Sequence, residues 1–211
     1  MVKILSEYNT VLSLSRFQET EKRSRFISFI FHVSSEEEAQ NYIKKIKSEY
    51  YDAKHHVYAY LLHDSGTEKF SDDGEPSGTA GYPIFGVIKS FGLSDVLIIV
   101  VRYFGGILLG TAGLRKMYVS GATGVVRKSS ISKMKLCSIF RSVLDYKTYG
   151  KILTLIALYG GVVIPADFSN VVTANFYIDK EVTNDFLRKL DNLLGGNKNL
   201  ELIEYKYMAV K

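Results

Sequence analysis

The chain has 211 residues, 46% of them hydrophobic, a net charge of +5 and a single cysteine. That allows one large domain or two small ones with modest cores, and it is too apolar for a disordered polymer. A lone cysteine, Cys137, excludes an internal disulfide and a cysteine-based metal site, and no apolar run nears the roughly 20 residues of a membrane span. The N-terminus carries no hydrophobic signal core, so a cytoplasmic location is expected. The cationic excess is spread over both halves and suits a polyanionic partner without forming a basic patch.

Residues 10–18 alternate apolar and polar, which predicts a first strand. The charged stretch after it carries Lys22, Arg23 and Arg25 and reads as a hairpin end, either solvated or touching a phosphate. Residues 26–33 predict a second strand. Ser34 and Ser35 each stand three residues before a glutamate, the capping-box spacing; Ala39, Tyr42, Ile43, Ile46 and Tyr50 then share one helical face. Residues 55–62 return to strand, with His55 and Val57 on one side and His56 and Tyr58 on the other. A long loop, 63–79, leads into a helix over about 80–91, for which Ser77 or Thr79 is a natural cap. Residues 95–101 are almost wholly apolar, which predicts a central strand covered on both faces. A helix over about 111–127 follows, with Thr111 as cap and Gly121 admitting a close neighbour. The first half thus reads ββαβαβα.

The polar run 127–133 reads as a linker. Beyond it come a strand (134–144), a helix (146–159) stopped by Gly160 and Gly161, two strands (162–168 and 171–178), a helix (181–194) closed by Gly195 and Gly196, and a last strand (200–209). That order, βαββαβ, is the ferredoxin-like arrangement. The expected fold class is α+β, in two domains over 1–131 and 132–211.

The chemistry concentrates between residues 71 and 113. Asp72, Asp73 and Glu75 lie so close that they raise one another's pKa unless cations or N–H donors compensate. They read as helix caps paired with nearby arginine or lysine, as a surface for partner recognition, or as ligands to a divalent ion. Gly78, in the loop with Ser77 and Thr79, turns the backbone so that N–H groups face one way into a helix start; Gly105, Gly106 and Gly110 do the same ahead of Thr111. Arg102 ends the apolar strand and needs a carboxylate or an anion, for which the acidic loop is the obvious source. Arg115, in the first turn of its helix, opposes the dipole and is a candidate for holding an external anion. His55 and His56 point to opposite faces, so they do not share one ion easily. No nucleophile elbow and no P-loop is present.

His55-His56 with Ala59-Tyr60, the run from Ser71 through Asp72-Asp73-Gly74-Glu75-Pro76-Ser77-Gly78-Thr79-Ala80-Gly81 to Pro83, and the run Val101-Arg102-Tyr103-Phe104-Gly105-Gly106-Ile107 to Gly110, with Gly113-Leu114 and Tyr118, resemble the IMPACT/YigZ family. The resemblance covers about residues 15–128 strongly. It implies that the first domain has the fold shared by domain IV of elongation factor G and a small-subunit ribosomal protein, and that the second resembles domain V of that factor. It also implies kinship with eukaryotic regulators of translation that compete for the activator of a starvation-responsive kinase and associate with ribosomes. No catalytic residue comes with the family. Two departures stand out: Val57 where relatives often carry cysteine, and Arg115-Lys116 where they often carry one arginine a step later.

The expected function is therefore a non-enzymatic regulator or accessory factor of translation, without cofactor, that binds RNA, the ribosome or a translation-linked protein. The alternatives are a hydrolase or transferase of a phosphate compound, using a divalent ion at Asp72, Asp73 and Glu75, and a peptide-binding module on the loop edge.

Overall fold

A computed structural model describes residues 6–194 and 199–210. Gly195 and Gly196, read above as the stop of the last helix, lie outside the described residues. The chain divides into two compact units, the first ending at Lys133 and the second running from Met134 to Val210. The described residues form ten strands and five helices, an α+β protein.

The first unit contains β1 (Glu7–Val11), β2 (Ser15–Glu21), β3 (Ser24–His32), α1 (Glu36–Glu49), β4 (His55–Leu61), β5 (Glu68–Ser71), α2 (Gly81–Ser90), β6 (Val96–Tyr103) and α3 (Gly110–Lys128). Five strands form an antiparallel sheet in the order β2-β3-β6-β4-β5. The apolar strand β6 is its centre, as its composition predicts. Val96, Ile98 and Val100 face the cluster built by α2 and α3, and Leu97, Ile99 and Val101 face the one built by α1. A strand buried on both faces has no use for a polar alternation, which is why it reads as a continuous apolar run.

Several elements differ from the sequence expectation. The first predicted strand is two, β1 and β2, because the chain leaves the extended run at Leu12–Leu14; both leucines are exposed. Alternating Leu and Ser looks the same on a strand and on a surface crossing. Lys22 and Arg23 both take positive φ, 46° and 63°, and make the tight β2–β3 turn expected of the charged stretch. β5 lies inside the predicted loop. It is a short, polar edge strand held by its ladder to β4, from Tyr58↔Ser71 to Leu61↔Glu68, and has no pattern of its own. The expected linker is the last turn of α3, two serines and the start of the next strand; Arg127 and Lys128 are polar because they complement the helix C-terminus.

The second unit contains β7 (Ile131–Leu144), α4 (Tyr146–Leu158), β8 (Val162–Phe168), β9 (Val172–Asp179), α5 (Thr183–Leu194) and β10 (Leu200–Val210). β9 lies between β7 and β8, antiparallel to both, and β10 pairs with β7. Phe140, Phe176 and Ile178 of the sheet pack against Ile152, Ile156, Phe186 and Leu190 of the two helices. Asp145 caps α4 by accepting from the Thr148 N–H at 2.7 Å, and Gly160, at φ 66°, ends it.

The start of α1 shows how directly sequence writes a helix end. Ser35 Oγ accepts from the Glu38 N–H at 3.2 Å, and the Glu38 carboxylate reaches back to the Ser34 N–H at 2.7 Å. Ser35→Ala is expected to cost about 1 kcal/mol, read as a lower urea midpoint at unchanged slope.

Candidate functional site

The loop after β5 is built around its own acids. Asp73, at φ 42°, and Gly74, at φ 84°, turn the chain so that the three carboxylates diverge. Asp72 points forward: its carboxylate accepts from the N–H groups of Gly78 (2.8 Å), Ala80 (3.0 Å) and Gly81 (2.8 Å). It therefore caps α2 from outside the helix, and the expected side-chain caps are not used. The N-cap residue is Ala80, Ser77 is exposed, and Thr79 is buried with its hydroxyl donating to the Pro76 carbonyl at 2.6 Å. Three of the amides that the sequence offered to an anion at this loop and helix start are already held by Asp72.

Asp73 points backward. It accepts from Lys47 Nζ and from the His56 N–H, both at 2.7 Å, while its carbonyl accepts from His55 Nδ1 at 2.9 Å. Burial pushes the Asp73 carboxyl up, but the Lys47 and His56 hydrogen bonds and charges outweigh it and hold the group below its ordinary value. The two histidines do diverge. His56 Nε2 donates to the Tyr50 carbonyl at 2.9 Å, at the end of α1. His55 donates through Nδ1, which leaves Nε2 facing Glu75 Oε1 at 3.8 Å.

Glu75 points inward and is 8% exposed. Its Oε1 accepts from Arg102 Nη1 and from the Tyr118 hydroxyl, each at 2.7 Å. Arg102 is 5% exposed and Tyr118 fully buried. The arginine at the end of β6 thus meets the acidic loop, as its placement demanded. Burial, together with the Glu75 charge and hydrogen bond, drives the Tyr118 phenol far above its ordinary range, so it stays a donor. In the sequence Tyr118 stands out as the end of the family-like run that includes Gly113 and Leu114. The available signal was its hydroxyl, which a buried tyrosine must satisfy.

The second glycine loop closes the site. A Cβ on Gly105 would stand 2.1 Å from the Arg23 carbonyl carbon, so only glycine lets the loop lie against the β2–β3 turn; its N–H donates to Ser24 Oγ at 3.1 Å. Gly106 and Gly110 take φ 83° and 69°. Thr111 does not cap α3: the N-cap residue is Leu109, no side chain caps it, and the first turn holds no acid. A cleft of about 330 Å³ opens here, bounded by Lys54, His55, Glu75, Arg102, Phe104, Leu108, Gly110 and Thr111, among others. Both glycine loops contribute to it. Arg115 does not. It sits in the second turn of α3, because the helix starts at Gly110, and lines a separate groove with Tyr82 and Lys89 of α2.

The Impact N-terminal domain model matches residues 22–126, which hold all of these side chains. The chain is 33% identical over 206 residues to "IMPACT family member YvyE" of Bacillus subtilis (strain 168), covering 97% of this chain and 95% of that one. This chain belongs to the IMPACT family. "IMPACT family member YigZ" of Escherichia coli (strain K12) is 32% identical over 186 residues, with 87% and 91% covered. A crystal structure described as that of a hypothetical protein is 30% identical, covers 95% of this chain and 98% of its own, and superposes with a TM-score of 0.64. The family likeness therefore spans both units.

Chemically, the acids of this family site are engaged: Asp72 by backbone amides, Asp73 by Lys47 and His56, Glu75 by Arg102 and Tyr118. Among the described residues, no group of three or more His, Cys, Asp or Glu is placed to share a metal ion. The Asp73–Lys47 pair gives a pH signature. Because the native Asp73 pKa is depressed, its contribution is complete above the ordinary carboxylate pKa and is lost as pH falls through the lower native value. Lys47→Ala is expected to be less stable than wild type at neutral pH, with the gap closing as pH falls below the ordinary aspartate value of about 3.9. Urea melts across that range check it.

Proposed function

We propose that this IMPACT-family chain is a translation-linked binding protein, not an enzyme, and that its first unit meets the ribosome or its RNA through the end of the sheet that carries the two glycine loops. The observation that carries the reading is an imbalance of charge at that end. The loop acids are spent on internal partners, while Lys22, Arg23, Arg25 and Lys54 are exposed and outnumber the exposed acids beside them, Glu21 and Asp52. Gly105 lies on the Arg23 backbone, Arg25 stacks over Tyr103 at 4.2 Å, and the Lys54 N–H donates to the Arg102 carbonyl, so all four belong to one edge. Cations held on a rigid sheet end suit the evenly spaced charge of a phosphate backbone.

The kinship with eukaryotic translation regulators supports the same reading. So does the second unit, which we infer to be ferredoxin-like and comparable to domain V of elongation factor G; its βαββαβ order and its β10-β7-β9-β8 strand sequence support that. The first unit, over about 1–131, corresponds in this reading to the domain IV-like fold. A hydrolase or transferase working through a divalent ion at Asp72, Asp73 and Glu75 would have to take those carboxylates from their present partners. No helix among the described residues is long and apolar enough to cross a membrane.

Co-sedimentation with purified ribosomes tests the proposal. If about four phosphates are contacted, affinity falls about a hundredfold between about 50 and 200 mM salt. Lys22→Glu with Arg23→Glu, which leaves the cleft intact, is expected to weaken binding and flatten that slope. Binding that ignores both salt and charge reversal contradicts the proposal.

A further inference from the structure

Two helices start from glycine loops in the first unit, and their ends differ. At the start of α2, Asp72 takes the amides of Ala80 and Gly81. Those of α3 have neither a side-chain cap nor an acid, and Gly110 and Thr111 open directly onto the cleft. Four amides at such an end lack helical partners and carry about half a positive charge. A helix start alone is common, but this one shares its cleft with a buried arginine that is short of acceptors. Arg102 gives Nη1 to Glu75, yet its buried Nε has no partner among the described residues. The guanidinium sits between Glu75 and the ring of Phe104, 5.6 Å from its carbon to the ring centre, and both are walls of the cleft. Lys54 adds a second cation at the mouth. Against these, Glu75 is the one acid lining the cavity.

The remaining wall is apolar and unusually open to solvent. Phe104 is 45% exposed and Leu108 82%. At about 330 Å³, the cleft is within the range of small-molecule sites. Its chemistry calls for an oxyanion head, carrying more charge than one carboxylate, joined to a flat ring that can lie on Phe104. We propose that the cleft binds the phosphate monoester end of a nucleotide, with the phosphate at the first turn of α3 between Arg102 and Lys54, and the base against Phe104. A free nucleotide and the 5′-phosphorylated end of an RNA present this same group. The inference goes beyond the translation-linked reading and does not rest on it.

Calorimetric titration of the full chain tests it with adenosine 5′-monophosphate, adenosine, inorganic phosphate, and a short oligoribonucleotide with and without its 5′-phosphate. The monophosphate is expected to bind at least about tenfold more tightly than adenosine. Thr111→Asp puts a carboxylate where the phosphate would sit. It should cut monophosphate affinity about tenfold or more, while leaving the unfolding midpoint equal or higher, since an acid suits a helix start. Phe104→Ala should weaken the monophosphate and spare inorganic phosphate. A preference for the 5′-phosphorylated oligomer over the monophosphate identifies an RNA end as the ligand; the reverse identifies the free nucleotide. No heat with any phosphate up to millimolar concentration, equal binding of adenosine and its monophosphate, or full affinity in Thr111→Asp overturns the proposal. Ribosome co-sedimentation of Thr111→Asp keeps the two readings apart, because the exposed cations at the sheet end remain in that variant.

Discussion

Arg102 leaves water at the end of the most deeply buried strand of the sheet, and Glu75 crosses from the neighbouring loop to meet it. Taking each of these ions out of water costs several kcal/mol, and only close geometry with further hydrogen bonds offsets that. The geometry is close here. One carboxylate oxygen receives both the guanidinium and the Tyr118 hydroxyl, and the guanidinium lies near the faces of Phe26 and Phe104. Through this one oxygen the acidic loop, β6 and α3 are bound to one another, and the two glycine loops are brought to either side of one cleft.

The three acids of the loop divide their work by direction. Asp72 holds the start of α2, Asp73 ties the loop to α1 and β4, and Glu75 neutralises the core arginine. Three carboxylates in four residues would repel in an open loop. Sent to three different sets of donors, they instead lock the loop's path, and the positive φ at Asp73 is the local strain that this divergence requires. Family membership, which covers both units, fits a site whose residues are fixed first by architecture. The features left over for an outside partner are the uncapped start of α3, the cleft wall to which Arg102 contributes and the exposed cations at the sheet end.

Much of this was legible in the sequence, and what was not has physical causes. The central strand announced itself by having no polar face, and an arginine at its end demanded a carboxylate or an anion, for which the acidic loop was the obvious source. The two glycine loops were recognisable as helix starts. Their caps were not, because Asp72 reaches amides six to nine residues ahead, outside the local spacing that a capping motif has. The family-like run included Tyr118 but said nothing of where its hydroxyl ends. The sequence places Arg115 in the first turn of its helix, but the helix starts at Gly110, which puts Arg115 in the second turn and in a groove with α2. β5 is too short and polar to carry a pattern, and its existence depends on the ladder that β4 provides.

The central claim is that Glu75 and Arg102 stabilise the fold as a pair, each being costly without the other. Unfolding free energies of Glu75→Gln, Arg102→Met and the double variant test it most directly, because glutamine keeps an acceptor for Tyr118 while removing the charge. The account predicts about 3–5 kcal/mol lost in each single variant and a double variant far more stable than the sum of the two losses. Losses that simply add, or a Glu75→Gln protein within about 0.5 kcal/mol of wild type, would contradict it.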